Sequence, residues 1–555
     1  LLRAEEVFAQ ENKTQIKKES ISNYFSGIVS NNQYNTNKAY KYLNKVEELK
    51  KNHTQFNVEY IKALIMLEKF EQAFSFSKSI WKEDELFFEV DLLLGLNYFI
   101  KKEYKKAEKH FERLNKISRT NLIFDNFFGN ILIAWIHAQE GNKAKSFNLL
   151  KKIPKQYDNL TQTQDVFLKC YYEDQDTQKS FTDLLKSEKY NFSRYNFFLI
   201  NYLLSQDKDL EAKKIAEKKN KEYSENLLIR QTKTYITKKK KSKIKNFFNC
   251  KNPREPIAEF FYIMANLYAN EEDYQSSNFY LKISLFLNNN FVTNKALLAE
   301  NFYYQKKKKL AKEVYFSLKP VGSIYSWYAE KNISSILEEE KGKTYAVNNL
   351  EKAFNKIENK NFGHYYDMAN FYKNNQYFLK SIEYYSLTLE NIKKEHLLIP
   401  KILYRRGTCY ERIKEWKKAE NDFNRSLKIL PDQAHVLNYL AYSWIDKGIN
   451  LDKGLKMLIK ANQLKKNDAY IIDSLGWAYY AKKNYKKAEF FLKKAVKLMP
   501  NEPVISDHYA DALWMVNKKI QARYIWDYVY KLKDSEKELK DKISTKLTFG
   551  IAQNL

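Results

Sequence analysis

The sequence predicts an all-α solenoid built from helix-turn-helix repeats, and three observations predict it. Small residues recur at Ala39, Ala73 and Ala107, 34 residues apart, and again at Ser277, Ala311, Ala346, Ser381, Ala419, Gly454, Ala488 and Ala522, in steps of 34 to 38. A period of this size marks an array in which each repeat is one supersecondary unit. Only 12 Gly and 8 Pro occur in 555 residues, too few for sheets joined by many tight turns. With 43 Tyr and 36 Phe, the chain has the apolar area to order most of its length. A solenoid also escapes the size limit of a single core, because each repeat contacts only its neighbours. Such arrays present extended surfaces for holding something rather than enclosed pockets for chemistry.

Taken in order, residues 1–19 read as an N-terminal tail. The chain starts at Leu1, and Val7-Phe8-Ala9 before Gln10 resembles the small-residue end of a signal-peptide cleavage site, although Glu5-Glu6 stand where neutral residues are expected. No Cys lies near this end to support a lipid anchor. Residues 20–155 read as repeats, with Gly27, Ala39 and Leu43 in one and Gly95, Tyr98, Ala107 and Phe111 in another. Residues 156–257 read as helical but irregular, and they hold the sharpest charge cluster: Lys238, Lys239, Lys240, Lys241, Lys243 and Lys245, followed by Phe247 and Phe248. Asn252-Pro253 and Glu255-Pro256 then punctuate the chain, so 238–256 reads as a junction. Residues 258–534 form the regular array, and 535–555 read as a capping helix and tail, which the end of an array needs.

The best repeat runs from Ala469 to Pro500. Leu475, Tyr479, Leu492 and Ala495 fall on one stripe of each helix by the 3.6 period. Gly476 and Ala488 are small where the two helices cross, and Pro500 cannot continue a helix interior. Gly407, Tyr410, Ala419, Phe423 and Pro431 carry the same frame, as do Leu440, Trp444, Gly454 and Leu458. This pattern resembles the tetratricopeptide repeat (TPR), which implies a right-handed superhelix whose first helices line a concave face. The block from His435 to Trp526, with DSLGW and DH-x-x-D-x-x-W elements, is similar to the C-terminal part of exported TPR proteins of Gram-negative bacteria. Some of those are outer-membrane adaptors of a carboxyl-terminal processing protease. That resemblance implies a periplasmic or membrane-associated envelope location, with cytoplasm the alternative, and an envelope protease or its substrates as partners.

In the TPR frame, repeat positions 2, 5, 9 and 12 point inward. Carried onto this chain, they select Tyr404 and Thr408, then Asn438, Tyr442 and Ile445, then Asp473, Trp477 and Tyr480, then Asp507, Asp511 and Trp514. The set is aromatic and acidic inside a chain of formal net charge +29. Aromatic anchors suit protein contacts, while the aspartates would repel phosphates and argue against nucleic acid in this groove. The basic residues of a carboxylate-holding clamp are missing there.

The charge itself has two readings. One is an anionic partner; the other is the codon usage of an AT-rich genome, which enriches Lys, Asn, Ile, Tyr and Phe together. Arg, which phosphate readers favour for its planar fork, numbers only 11, and drift is the preferred reading. Cys170, Cys250 and Cys409 read as isolated, with no metal-ligand spacing, and leave the redox compartment open. No apolar run reaches the length needed to span a bilayer. Gly342-Lys343-Thr344 resembles the end of a phosphate loop but lacks its upstream Gly and reads as a turn. No catalytic motif, cofactor site or metal site emerges. The expectation is a non-enzymatic scaffold or adaptor of the cell envelope that binds a protein in the C-terminal groove. The alternative is anionic-surface or nucleic-acid binding through 238–245.

Overall fold

The computed structural model describes residues 18–117, 127–222 and 226–551, so the Val7-Phe8-Ala9 element lies outside the described residues. Among the described residues there are 31 α-helices and no strand, and the helices pair in succession as antiparallel hairpins. The fold is an all-α solenoid.

The repeat at 469–500 shows why these residues form a hairpin. Asp468 caps the first helix, Ala469–Ala481, by accepting the backbone N–H groups of Tyr470 and Ile471. The helix closes where Lys483 N–H donates to Tyr480 O at 2.8 Å and Asn484 N–H to Tyr479 O at 2.9 Å, with Lys483 left-handed at φ 60°. This is the Schellman closure, which satisfies carbonyls that the helix end would otherwise strand. Asn484 then caps the second helix, Tyr485–Leu498, through Lys487 N–H. The two helices cross at Gly476, where an added Cβ would lie 2.6 Å from Leu492 Cγ. Ala488, Leu492 and Ala495 are buried along the facing stripe.

The left-handed turn residue carries the period further than the small residue does. Positive φ occurs at Tyr34, Glu68, Lys102, Gly141, Glu173, Asp207, Lys239, Glu272, Lys306, Gly342, Gln376, Lys414, Gly448, Lys483 and Asn517. One such turn closes each successive hairpin, at intervals of 32 to 39 residues. The series runs without a gap through 156–257, the stretch whose sequence looks irregular. Lys239 is itself a turn residue, with Lys240 N–H donating to Tyr235 O at 2.8 Å. The basic run 238–245 is thus a hairpin turn followed by a truncated second helix, Lys241–Lys245. The apolar residues beside it are core: Ile244, Phe247 and Phe248 are buried, and Phe248 lies 4.6 Å from the Phe198 ring.

The chain divides into two compact units, 1–346 and 347–555. In the first unit, distant parts of the array meet. Phe128 packs 4.9 Å from Phe260, Phe70 stacks on Phe286 at 4.0 Å, and Arg194 ion-pairs with Glu259. The helices Arg254–Asn270 and Tyr274–Leu287 therefore cover first helices of the earlier repeats, such as Phe127–Gln139 and Thr54–Met66. The cysteines that read as isolated are not all so. Cys170 and Cys250 form a disulfide with Cα atoms 6.0 Å apart, joining the end of the helix Asp158–Tyr171 to the turn before Arg254–Asn270. Lys251 reinforces the join by pairing with Glu173 and donating to Tyr171 O.

The second unit stacks its hairpins in register. Ala419, Phe423, Val436, Leu440 and Trp444 form one core layer. Ala441, Ile445, Leu458, Leu475 and Ala478 form the next. Ala510, Leu513, Ala522, Trp526, Val529 and Ile543 close the stack against the terminal helix Lys537–Phe549. Each fully buried aliphatic or aromatic side chain of these layers contributes roughly 1.5–3 kcal/mol relative to exposure.

Candidate functional site

The inward positions selected from the sequence all sit on first helices of the second unit: Ile399–Arg412, Ala434–Asp446, Ala469–Ala481 and Pro503–Met515. The half-buried aromatics come first. Tyr404 packs 6.2 Å from Tyr439 and 6.1 Å from Phe423. Tyr442 follows one repeat on, and burial, then the charges of Asp446 and Asp473, push its phenol pKa up. Trp477 and Tyr480 stack at 4.6 Å with their planes 8° apart. Asn438 is half-buried on the same face, and its Oδ1 has no hydrogen-bond partner among the described residues. Thr408 and Ile445 are buried.

Toward the C-terminal end the site becomes a charged cluster. His508, which the sequence placed merely beside Asp507, reaches back to the preceding repeat, and its Nδ1 lies 3.0 Å from Asp473 Oδ1. The ring stacks on Trp477 at 4.0 Å. Burial alone would lower the imidazole pKa, but Asp473, with Asp507 and Asp511 behind it, outweighs burial and raises it. Asp473 thus favours the charged form of the ring, whose Nδ1 donates to its carboxylate while the ring face lies on the indole.

Asp507 and Asp511 lie one helical turn apart on Pro503–Met515 and share a single cation. Lys546 Nζ, from the terminal helix, lies 2.8 Å from Asp507 Oδ1 and Oδ2 and 2.7 and 2.8 Å from Asp511 Oδ1 and Oδ2, so its three N–H groups are shared between the two carboxylates. Asp511 also accepts from Trp526 Nε1 at 3.0 Å. Burial, and then the neighbouring Asp507, hold the Asp511 carboxyl up at about 6. Trp514 ends the row. Its Nε1 donates to Ile551 O at 3.2 Å, and its ring lies 5.4 Å from Trp526.

The inward residues thus fall into two groups. Tyr404, Asn438, Tyr442, Trp477 and Tyr480 form a half-exposed face. Asp473, Asp507, Asp511 and Trp514 are engaged by His508 or by the terminal helix. Neither His508 nor Lys546 was selected from the sequence. The octapeptide D-H-x-x-D-x-x-W spacing did place His508 on the same helix as both aspartates, whereas nothing local to Lys546 announced its role.

The other candidate lies in the first unit. Lys238, Lys239, Lys240, Lys241, Lys243 and Lys245 are all exposed around their hairpin turn, and Lys241 pairs with Asp209. Among the described residues, no group of His, Cys, Asp or Glu is arranged to hold a metal ion, and no helix is long and apolar enough to cross a membrane.

Residues 400–433 and 469–502 match the family model of the tetratricopeptide repeat. The chain carries TPR repeats. A TPR repeat-containing protein of Pseudomonas aeruginosa is 30% identical over 103 residues, which is 19% of this chain and 18% of that protein. The chain thus spans under a fifth of that relative's length. Among solved structures, a TPR protein from Parabacteroides merdae is 18% identical, with a TM-score of 0.34, covering 40% of this chain and 86% of its own. A TPR protein of Thermus thermophilus is 15% identical, with a TM-score of 0.29, covering 34% and 99%. TPR repeats are protein-interaction modules and typically belong to non-enzymatic scaffolds.

Proposed function

We propose that this protein is a scaffold or adaptor of the bacterial cell envelope and that a protein partner docks on the concave face of the second unit. The observation that carries the reading is the run of half-exposed aromatics, Tyr404, Tyr442, Trp477 and Tyr480, on successive first helices. Rigid aromatic rings bring large apolar area at low entropic cost, which is why they anchor protein interfaces. The first unit offers less, because its own helices cover several of its first helices. The aspartates beyond Trp477 add a negative end and favour a partner with a basic segment.

The envelope location draws support from the Cys170–Cys250 disulfide, since such bonds persist in oxidising compartments and are rare in a reducing cytoplasm. An adaptor that gathers substrates for an envelope protease fits this surface and compartment.

The test is partner capture from an envelope extract by the wild-type chain and by a Trp477→Ala/Tyr480→Ala variant. A partner recovered by the wild type is expected to fall by at least about ten-fold, as loss of hot-spot aromatics does. Recovery at the wild-type level would remove the concave face from the account.

A further inference from the structure

The terminal helix Lys537–Phe549 does two separable things. Leu539, Ile543 and Leu547 pack on the last hairpin, against Ala510, Leu513, Ala522 and Trp526. Its last turn does something else. Lys546 reaches into the inward-facing Asp507–Asp511 pair, and the chain then crosses Trp514, which donates to Ile551 O. Gly550 permits that crossing. Its φ is 73°, and an added Cβ would lie 2.0 Å from Trp514 Cζ2. Phe549, the largest apolar residue of this turn, stays 81% exposed while the lysine is inserted. A turn shaped only to seal the array would do the reverse, burying the ring and leaving the ammonium in water.

We propose that the segment Lys546–Ile551 is a built-in occupant of the concave face, which yields its place when a protein partner presents a lysine to Asp507 and Asp511. The proposal rests on the concave-face reading above and names the chemistry its acidic end accepts: a basic segment with an apolar residue following the lysine. Three features favour exchange. First, a largely buried ion pair adds little net stability, because desolvation offsets most of the attraction. Replacing one lysine by another therefore changes little. Second, the cluster carries more negative than positive charge. Among the described residues the ion-pair partners of Asp473, Asp507 and Asp511 are His508 and Lys546, so the acidic end keeps its attraction for a cation through the exchange. Third, Leu539 and Ile543 hold the helix on the last hairpin when the turn after them leaves, so that, besides the Lys546 contacts and the Trp514 bond, only Leu547, Ile551 and the bond from Arg523 to Leu547 O are given up.

The test uses the full chain and a labelled synthetic peptide with the sequence of residues 537–551. Fluorescence anisotropy compares peptide binding to the wild type and to the Lys546→Met and Gly550→Ala variants, each checked for wild-type helix content. Both variants unseat the resident segment, so they are expected to bind the peptide about ten-fold more tightly than the wild type, whose site is mostly occupied. A peptide carrying the Lys546→Met change is expected to lose that gain. Should Lys546→Met fail to fold, Gly550→Ala carries the comparison, because it leaves the aspartates and the lysine intact. Equal binding to wild type and folded variants overturns the proposal, and so does tight binding that ignores the peptide's lysine. Partner capture through Trp477 and Tyr480 involves no part of this segment, so either idea can fail alone.

Discussion

Gly476 sits where two helices touch, and a methyl group there would meet Leu492 Cγ at 2.6 Å. Leu492 is itself fully buried, so it has little room to yield. Gly476→Ala is therefore expected to destabilise the second unit by about 1–3 kcal/mol, the usual cost of overpacking. The helix-propensity gain of Ala would offset only part of this. A thermal midpoint equal to that of the wild type would show that the crossing is looser than its geometry. Asp511 gives a second residue-scale test. Its carboxyl is raised from the ordinary 3.8 to about 6 by burial and by Asp507. For an acid raised in the folded state, the stabilising contribution is complete below the ordinary value and is lost as pH rises through the folded one. His508, raised by Asp473 against the effect of burial, has the same sign: its contribution is lost as pH rises above the ordinary imidazole range. Lys546 stays charged throughout, since Asp511 and Asp507 outweigh its burial and raise its pKa. The second unit should thus lose thermal stability as pH rises from 3.8 to about 6, where Asp511 ionises, and again above the ordinary imidazole range through His508, and Asp511→Asn should flatten the first of these slopes. A variant whose pH profile overlays the wild type would mean that Asp511 titrates normally.

At the scale of elements, the Cys170–Cys250 bond ties together segments 80 residues apart. Closing a loop of that length removes unfolded-state entropy worth about 4 kcal/mol. A Cys170→Ser/Cys250→Ser variant should unfold at lower urea concentration, by a shift equal to that caused by reductant on the wild type. An unchanged midpoint would contradict the staple. The bond was not legible in the sequence, because neither cysteine has a partner at a recognisable spacing. The hairpins were. Five residues after most left-handed turns stands the small residue of the second helix, as with Glu68 and Ala73, Lys102 and Ala107, Lys483 and Ala488, and Asn517 and Ala522. Gly141 with Ser146 and Asp207 with Ala212 continue the series into the stretch that read as irregular. What hid it there is the failure of the marker at Gln178, whose amide bonds to Glu211 and Lys208, and at Ile244, a larger side chain that is fully buried. The turns themselves were hidden for another reason. A Schellman closure favours Gly, but most of these turns use Lys, Glu, Asp or Asn, so the strongest compositional signal was absent. A lysine run such as 238–241 then looks like a functional cluster rather than the corner of a hairpin.

For the whole molecule, the conspicuous net charge of +29 and the acidic, aromatic inward face of the second unit point to different partners. Several lysines pair with acids of the neighbouring hairpin. Lys143 pairs with Asp174, Lys241 with Asp209, Lys308 with Glu339 and Lys518 with Glu489, each joining neighbouring hairpins. Such exposed pairs add little stability and leave the net charge unchanged, but they distribute it along the hairpins rather than gathering it at one site. The placing of these residues on first helices was legible because the repeat frame fixes which side chains share a face. Their partners were not, because Lys546 and His508 reach Asp507, Asp511 and Asp473 only once the helices stack. The central claim is that a protein partner occupies the concave face, and site-specific photo-crosslinking in cells tests it most directly. A benzophenone amino acid is placed at Tyr442 or Trp477 on the inward face, and at Phe490, which is 67% exposed on a second helix, as the control. The account predicts a discrete protein adduct from Tyr442 and Trp477 and none from Phe490. An adduct from Phe490 alone, with Tyr442 and Trp477 silent, would contradict it.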